Sequence, residues 1–125
     1  MNARSVAGIV NLGGTVLRSS RCPEFREAEA REKAASHLLE REIDGLVVIG
    51  GNGSLNGASE LARQTNLPLI GIPKTIDNDV GGTDYALGFD TAVNTAVEAI
   101  DKIRDTATSH ERLFLVEVMG RNRGF

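Results

Sequence analysis

Two aspartates, Asp77 and Asp79, sit two residues apart in the run Pro73-Lys74-Thr75-Ile76-Asp77-Asn78-Asp79-Val80-Gly81-Gly82-Thr83-Asp84. In extended backbone, that spacing points both carboxylates the same way. A lysine, a threonine and three carboxylates in a glycine-punctuated loop suit general-base or metal-assisted transfer of a charged group. The plain alternative is a solvated acidic turn with local Asx-type backbone bonds. Position favours function, because the loop follows the apolar run Leu69-Ile70-Gly71-Ile72. In an open α/β sheet, ligands bind outside the carboxyl ends of the strands.

The elements that must hold this loop are legible as periodicities. Residues 3–12 read as a short helix stopped by Gly13-Gly14. Thr15-Val16-Leu17 reads as a brief extended piece. Pro23 marks a helix start, and residues 24–42 carry an apolar stripe of Phe25, Ala28, Ala35, Leu38 and Leu39. Glu27–Arg31 and Glu29–Lys33 are favourable i,i+4 pairs on that helix. Leu46-Val47-Val48-Ile49 has the continuous apolar character of a buried parallel strand. A helix over 55–65 follows, then a strand over 68–72. Residues 89–106 form an amphipathic helix with Ala92, Val93, Ala96, Val97, Ile100 and Ile103 on one face. Residues 112–119 read as a last strand. The order β-α-β-α-β predicts an α/β fold: a three-layer, open, mostly parallel sheet of the Rossmann-like kind, with helices on both faces.

Three further segments carry candidate chemistry. Gly50-Gly51-Asn52-Gly53-Ser54 lies between a strand and a helix, where backbone N–H groups bind phosphate, or where a tight turn simply needs glycine. It is neither a Walker A sequence nor G-x-G-x-x-G. Val118-Met119-Gly120-Arg121 puts an arginine at a strand end, either to neutralise a transferring phosphoryl group or as a surface terminus. Arg18-Ser19-Ser20-Arg21 is an anion clamp or a solvated basic loop. His37 and His110 read as surface or turn residues, and Cys22 as a small buried or semi-buried residue with no partner for catalysis or metal.

Composition bounds the function. The chain has 125 residues, 41% hydrophobic and 25% charged, as expected of one globular domain with a core. A net charge of −3 offers no basic surface for nucleic acid. The single cysteine excludes an internal disulfide, and no apolar run reaches membrane-spanning length. Without an apolar secretory segment, the expected location is cytoplasmic. The end at Arg121-Asn122-Arg123-Gly124-Phe125, inside a functional-looking turn, points to a fragment or truncated product.

Together these segments resemble the phosphofructokinase family, the enzymes that phosphorylate fructose 6-phosphate at its 1-hydroxyl. The matching pieces are Gly13 to Arg21, Pro23 to Arg26, Val48 to Ser54, Gly71 to Asp79, Gly82-Thr83-Asp84, Gly88 to Ala92 and Val116 to Arg121. They run in the family's order and cover nearly the whole chain. The resemblance implies that residues 1–125 are part of an N-terminal nucleotide- and sugar-phosphate-binding domain. It makes Asp77 the general base for the sugar hydroxyl and Asp79 a carboxylate that helps organise Mg2+. Thr75, Ile76, Met119 and Gly120 would contact the sugar phosphate. Arg121 would steady the transferring phosphoryl group, and Arg112 would reach sugar phosphate across a subunit interface in a homotetramer. Arg21, Cys22 and Gly51 to Ser54 would contact nucleotide, and Arg104 an allosteric nucleotide.

This chain departs from the family pattern at several positions. Asn52 replaces a magnesium-linked aspartate, keeping an oxygen ligand but losing a negative charge. Arg18 stands where many members have glycine. Lys74 is similar to pyrophosphate-using members, whereas Gly53 leaves open the space that those members fill with aspartate. The combination favours ATP as donor, with pyrophosphate the alternative. A non-catalytic remnant that binds sugar phosphate or nucleotide is the reading from another class. As a piece, the chain is expected to have negligible kinase activity by itself.

Overall fold

The computed structural model describes residues 2–16 and 18–120. Five regular elements follow one another: α1 (Ala28–Leu39), β1 (Leu46–Gly50), α2 (Asn52–Thr65), β2 (Leu69–Pro73) and α3 (Phe89–His110). The two strands pair in parallel, from Leu46 opposite Leu69 to Gly50 opposite Pro73. Parallel neighbours require a crossover, and α2 supplies it. Helix α2 packs on both strands, and α1 packs on α2.

The small core sits between these layers. Ala35 of α1, Ala58 and Leu61 of α2, and Ala86 are its buried apolar residues. Small side chains there let the helices approach closely. Gly71 serves the same end on the strand, because a Cβ at that position would lie 2.9 Å from Leu55 Cδ2 on α2. Alternation puts Leu46, Val48 and Gly50 on the face toward α2. Val47, Ile49 and Ile70 point to the other face and are 58–64% exposed. The apolar run of β1 is therefore covered on one face only among the described residues.

Several local expectations are corrected. Residues 3–8 form turns, followed by a 3-10 turn at Ile9–Asn11, rather than one helix. A ten-residue segment without tertiary packing lacks the length to sustain a helix alone. Thr15 and Val16 are not extended: the Arg18 amide donates to the Thr15 carbonyl at 2.9 Å, closing a turn. Leu17 lies outside the described residues. The helix expected over 24–42 divides into a 3-10 turn, Pro23–Arg26, and α1. Helix α2 starts at Asn52, three residues before the expected start, and α3 continues to His110.

The largest correction falls at the end. Residues 112–118 form no strand, and Leu113 and Leu115 are each 99% exposed. Their alternating pattern suits a sheet edge, but the segment pairs with neither β1 nor β2.

Candidate active site

Strand β2 delivers the acidic loop, and backbone pairing fixes both of its ends. The Lys74 amide donates to the Gly50 carbonyl at 2.9 Å. Lys74 and Leu87 form a parallel bridge, with Thr75 N donating to Leu87 O and Leu87 N to Pro73 O, each at 3.0 Å. The loop therefore leaves the end of β2 and returns beside it just before α3 begins. Inside the loop, the Asp77 amide donates to Thr75 Oγ1 at 3.1 Å. Asn78 has φ 48°, in the left-handed region, so the backbone between the aspartates is not extended. The expected shared direction of Asp77 and Asp79 therefore has no extended strand to support it. Both aspartates are half-buried.

Strand β1 ends differently. Gly50 is buried, and a Cβ there would sit 2.7 Å from Ser54 Cβ, so the turn requires glycine. Gly51 caps α2 without a side-chain hydrogen bond. First-turn amides of a helix have no partner within it, and the helix dipole adds positive potential at that end. Gly53 and Ser54 are exposed at this terminus. Asn52, in the same turn, reaches across: its Nδ2 donates to the Asp79 carbonyl at 3.2 Å. Gly51 faces Thr75, whose Cβ would lie 3.5 Å from a Cβ placed on the glycine.

Two open grooves flank these loops. One, of about 550 Å3, is lined by Ile76 and Asp77 on the acidic loop, Phe89, Ala92 and Ala96 on α3, and Val116 to Gly120. It brings Ile76, Asp77, Met119 and Gly120 together. Met119 and Gly120 come from an irregular segment rather than from a strand end. Thr75, Asp79 and Lys74 stand on the same loop outside that lining, and Lys74 is exposed. The second groove, of about 890 Å3, is lined by Arg21, Cys22, Gly53 and Ser54, with Arg26, Arg31 and Gly57. It joins Arg21 and Cys22 to Gly53 and Ser54, whereas Gly51 and Asn52, also expected to contact nucleotide, lie outside its lining. Arg112 and Arg104 line neither groove, and Arg104 pairs with Asp101 at 2.9 Å. Arg121 lies outside the described residues.

Sequence reasoning missed Arg31. In place of the expected pair with Glu27, its Nε donates to Gln64 Oε1 at 2.8 Å, and its Nη1 to the carbonyls of Phe25 and Arg26. It ties the 3-10 turn to α2 and forms part of the wall of the second groove. A long-range hydrogen bond of this kind leaves no periodic signal. The only available hint was the clustering of Arg21, Arg26 and Arg31 around Pro23.

Among the described residues, no three His, Cys, Asp or Glu side chains gather into a metal cage. Mg2+ commonly takes one or two carboxylates plus phosphate oxygens and water. The Asp79 carboxylate and the Asn52 amide oxygen are hard oxygen donors of the appropriate kind, and the Asn52 amide nitrogen donates to the Asp79 backbone carbonyl.

An anion-attracting helix terminus and a carboxylate loop at adjacent strand ends define an α/β domain suited to phosphorylated ligands. The chain belongs to the phosphofructokinase family, whose sequence model matches residues 1–125. It is 58% identical over 125 residues to the ATP-dependent 6-phosphofructokinase of Aquifex aeolicus, covering all of this chain and 39% of that protein. The enzyme of the same name from Persephonella marina matches at 58% with the same coverage. Pichia pastoris phosphofructokinase in the T-state superposes with a TM-score of 0.84 at 38% identity, covering 99% of this chain and 16% of that one. The chain thus spans about two-fifths of the length of the curated relatives it matches.

Proposed function

We propose that this chain supplies part of the active site of an ATP-dependent 6-phosphofructokinase, with residues 1–125 belonging to its N-terminal domain. The observation that carries this reading is the convergence of Asp77, Ile76, Met119 and Gly120 on one groove, beside the loop that Asn52 joins to the start of α2. Fructose 6-phosphate occupies that groove. Asp77 accepts the proton of the 1-hydroxyl while the sugar's O1 forms a bond to the γ-phosphorus of ATP. The bond from that phosphorus to the β,γ-bridging oxygen breaks, and ADP leaves with the electron pair. Thr75 holds the turn that presents Asp77, and Ile76, Met119 and Gly120 shape the sugar side. Arg121 offsets the charge on the transferring group. Such transfers depend chiefly on positioning and electrostatics.

The donor lies along the second groove, with Arg21, Cys22 and the Gly51–Ser54 turn against its phosphates and Lys74 near the strand end. Asp79 and Asn52 would hold Mg2+, which would supply neutralisation of phosphate charge. Relatives named as ATP-dependent support ATP over pyrophosphate. An exposed Arg112 outside both grooves fits a contact with a neighbouring subunit in a homotetramer. Cys22 is free and exposed rather than buried as its sequence context suggests, and a free thiol accords with a cytoplasmic location. No helix among the described residues is long and apolar enough to cross a membrane.

The test is a coupled assay of the whole enzyme with fructose 6-phosphate and either ATP or pyrophosphate. Turnover with ATP and little with pyrophosphate is expected. Faster turnover with pyrophosphate would overturn the donor assignment, and none with either would overturn the reading.

A further inference from the structure

Asn78 has no part in the chemistry above, yet both ends of its amide are engaged. Its Oδ1 accepts from the Ala86 amide at 2.8 Å, and its Nδ2 donates to the Asp84 carbonyl at 3.0 Å. These bonds span six and eight residues, beyond the reach of an Asx turn. Ala86 is buried and immediately precedes Leu87, whose bridge to Lys74 anchors the loop to β2. The backbone of Asn78 is left-handed, φ 48°, a conformation that asparagine tolerates better than most residues. Asn78 thus fixes the loop's reversal and its closure from a point between Asp77 and Asp79.

We propose that Asn78 is the positioning residue of the acidic loop: its amide pins the chain between the two aspartates to the returning segment at Asp84 and Ala86, and so sets Asp77 against the sugar groove. The proposal rests on the function given above. Misplacing a reacting group by about 1 Å can cost on the order of 100-fold in rate. Neither bond involves a ligand, so the clamp exists before substrate binds.

Three variants of the whole enzyme separate its parts. Asn78→Gly keeps the left-handed backbone and loses both bonds. Asn78→Asp keeps the acceptor for Ala86 and loses the donor to Asp84. Asn78→Ala loses both bonds and strains the backbone. The first readout needs no substrate: hydrogen exchange at the Ala86 amide is slow in the parent and in Asn78→Asp, and faster by roughly 10-fold or more in Asn78→Gly and Asn78→Ala, a change corresponding to one lost hydrogen bond. The second is kinetic: Asn78→Gly lowers kcat by about 10- to 100-fold, with the KM for fructose 6-phosphate changed less than about 3-fold. Unchanged Ala86 exchange in Asn78→Gly would overturn the clamp whatever the enzyme's substrate proves to be. Altered exchange with kcat within about 3-fold of the parent would overturn its role in positioning Asp77. Loss of turnover in the parent itself would fault the assigned function and leave the exchange result to judge the clamp.

Discussion

The loops after β1 and β2 begin side by side and do their work by different means. After β1 the chain turns at once into α2, and the chemistry on offer is backbone: amides at a helix terminus, reached because Gly50 leaves no Cβ to collide with Ser54. After β2 the chain wanders through residues 75–86 and offers side chains, held by Thr75, Asn78 and an Asn52 that reaches over from the first loop. A backbone site needs a particular conformation and tolerates many side chains. A side-chain site needs particular residues and a scaffold to hold them. That contrast suits a donor recognised through its phosphates and an acceptor hydroxyl that must be deprotonated.

The comparison yields predictions that fall in order of size. Gly50→Ala strikes the backbone site by forcing a Cβ into Ser54, where no flexible side-chain end can yield. It should destabilise the protein by about 1–3 kcal/mol. Adding Ser54→Gly should recover part of that loss in thermal denaturation, and no recovery would fault the assigned clash. Arg31→Met removes the hydrogen bonds by which α1 holds both Gln64 of α2 and Phe25 of the 3-10 turn. A cost of about 2 kcal/mol follows, with a raised KM for ATP and little change for the sugar. A selective rise in the KM for fructose 6-phosphate would break the division between the grooves.

Asn52→Ala cuts a side-chain link between the loops. About 1 kcal/mol of stability should be lost, and the KM for ATP should rise more than the KM for fructose 6-phosphate, because Asn52 stands at the donor end of α2. Arg18 has the smallest expected effect. Its φ of 63° lies where a glycine is comfortable. Arg18→Gly should stabilise by about 0.5 kcal/mol, visible as a slightly raised Tm, and a drop in Tm would contradict that account.

Much of this framework was legible because strong periodicity and glycine punctuation agree. The apolar runs at 46–49 and 69–72 became paired strands, and the stripe beginning at Ala92 became α3. Asp77 lines one groove and the Arg21-Cys22 segment the other. What was not legible depends on contacts distant in sequence. The alternation of Leu113 and Leu115 promises a strand, but a strand exists only with a partner, and here the segment lies unpaired with both leucines exposed. Periodicity likewise could not reveal that Arg31 would forsake Glu27 for Gln64, thirty-three residues away. Nor could it show that Asn78 would break the extended path on which the aspartate spacing argument relied.

The central claim is that the acidic loop does the proton chemistry while the α2 terminus holds the donor. Steady-state kinetics of Asp77→Asn in the whole enzyme tests it most directly, because the substitution preserves shape and removes the base. The account predicts a fall in kcat of about 100- to 10,000-fold, with the KM for ATP within about 3-fold of the parent. A kcat near the parent value, or a loss confined to the KM for ATP, would contradict it.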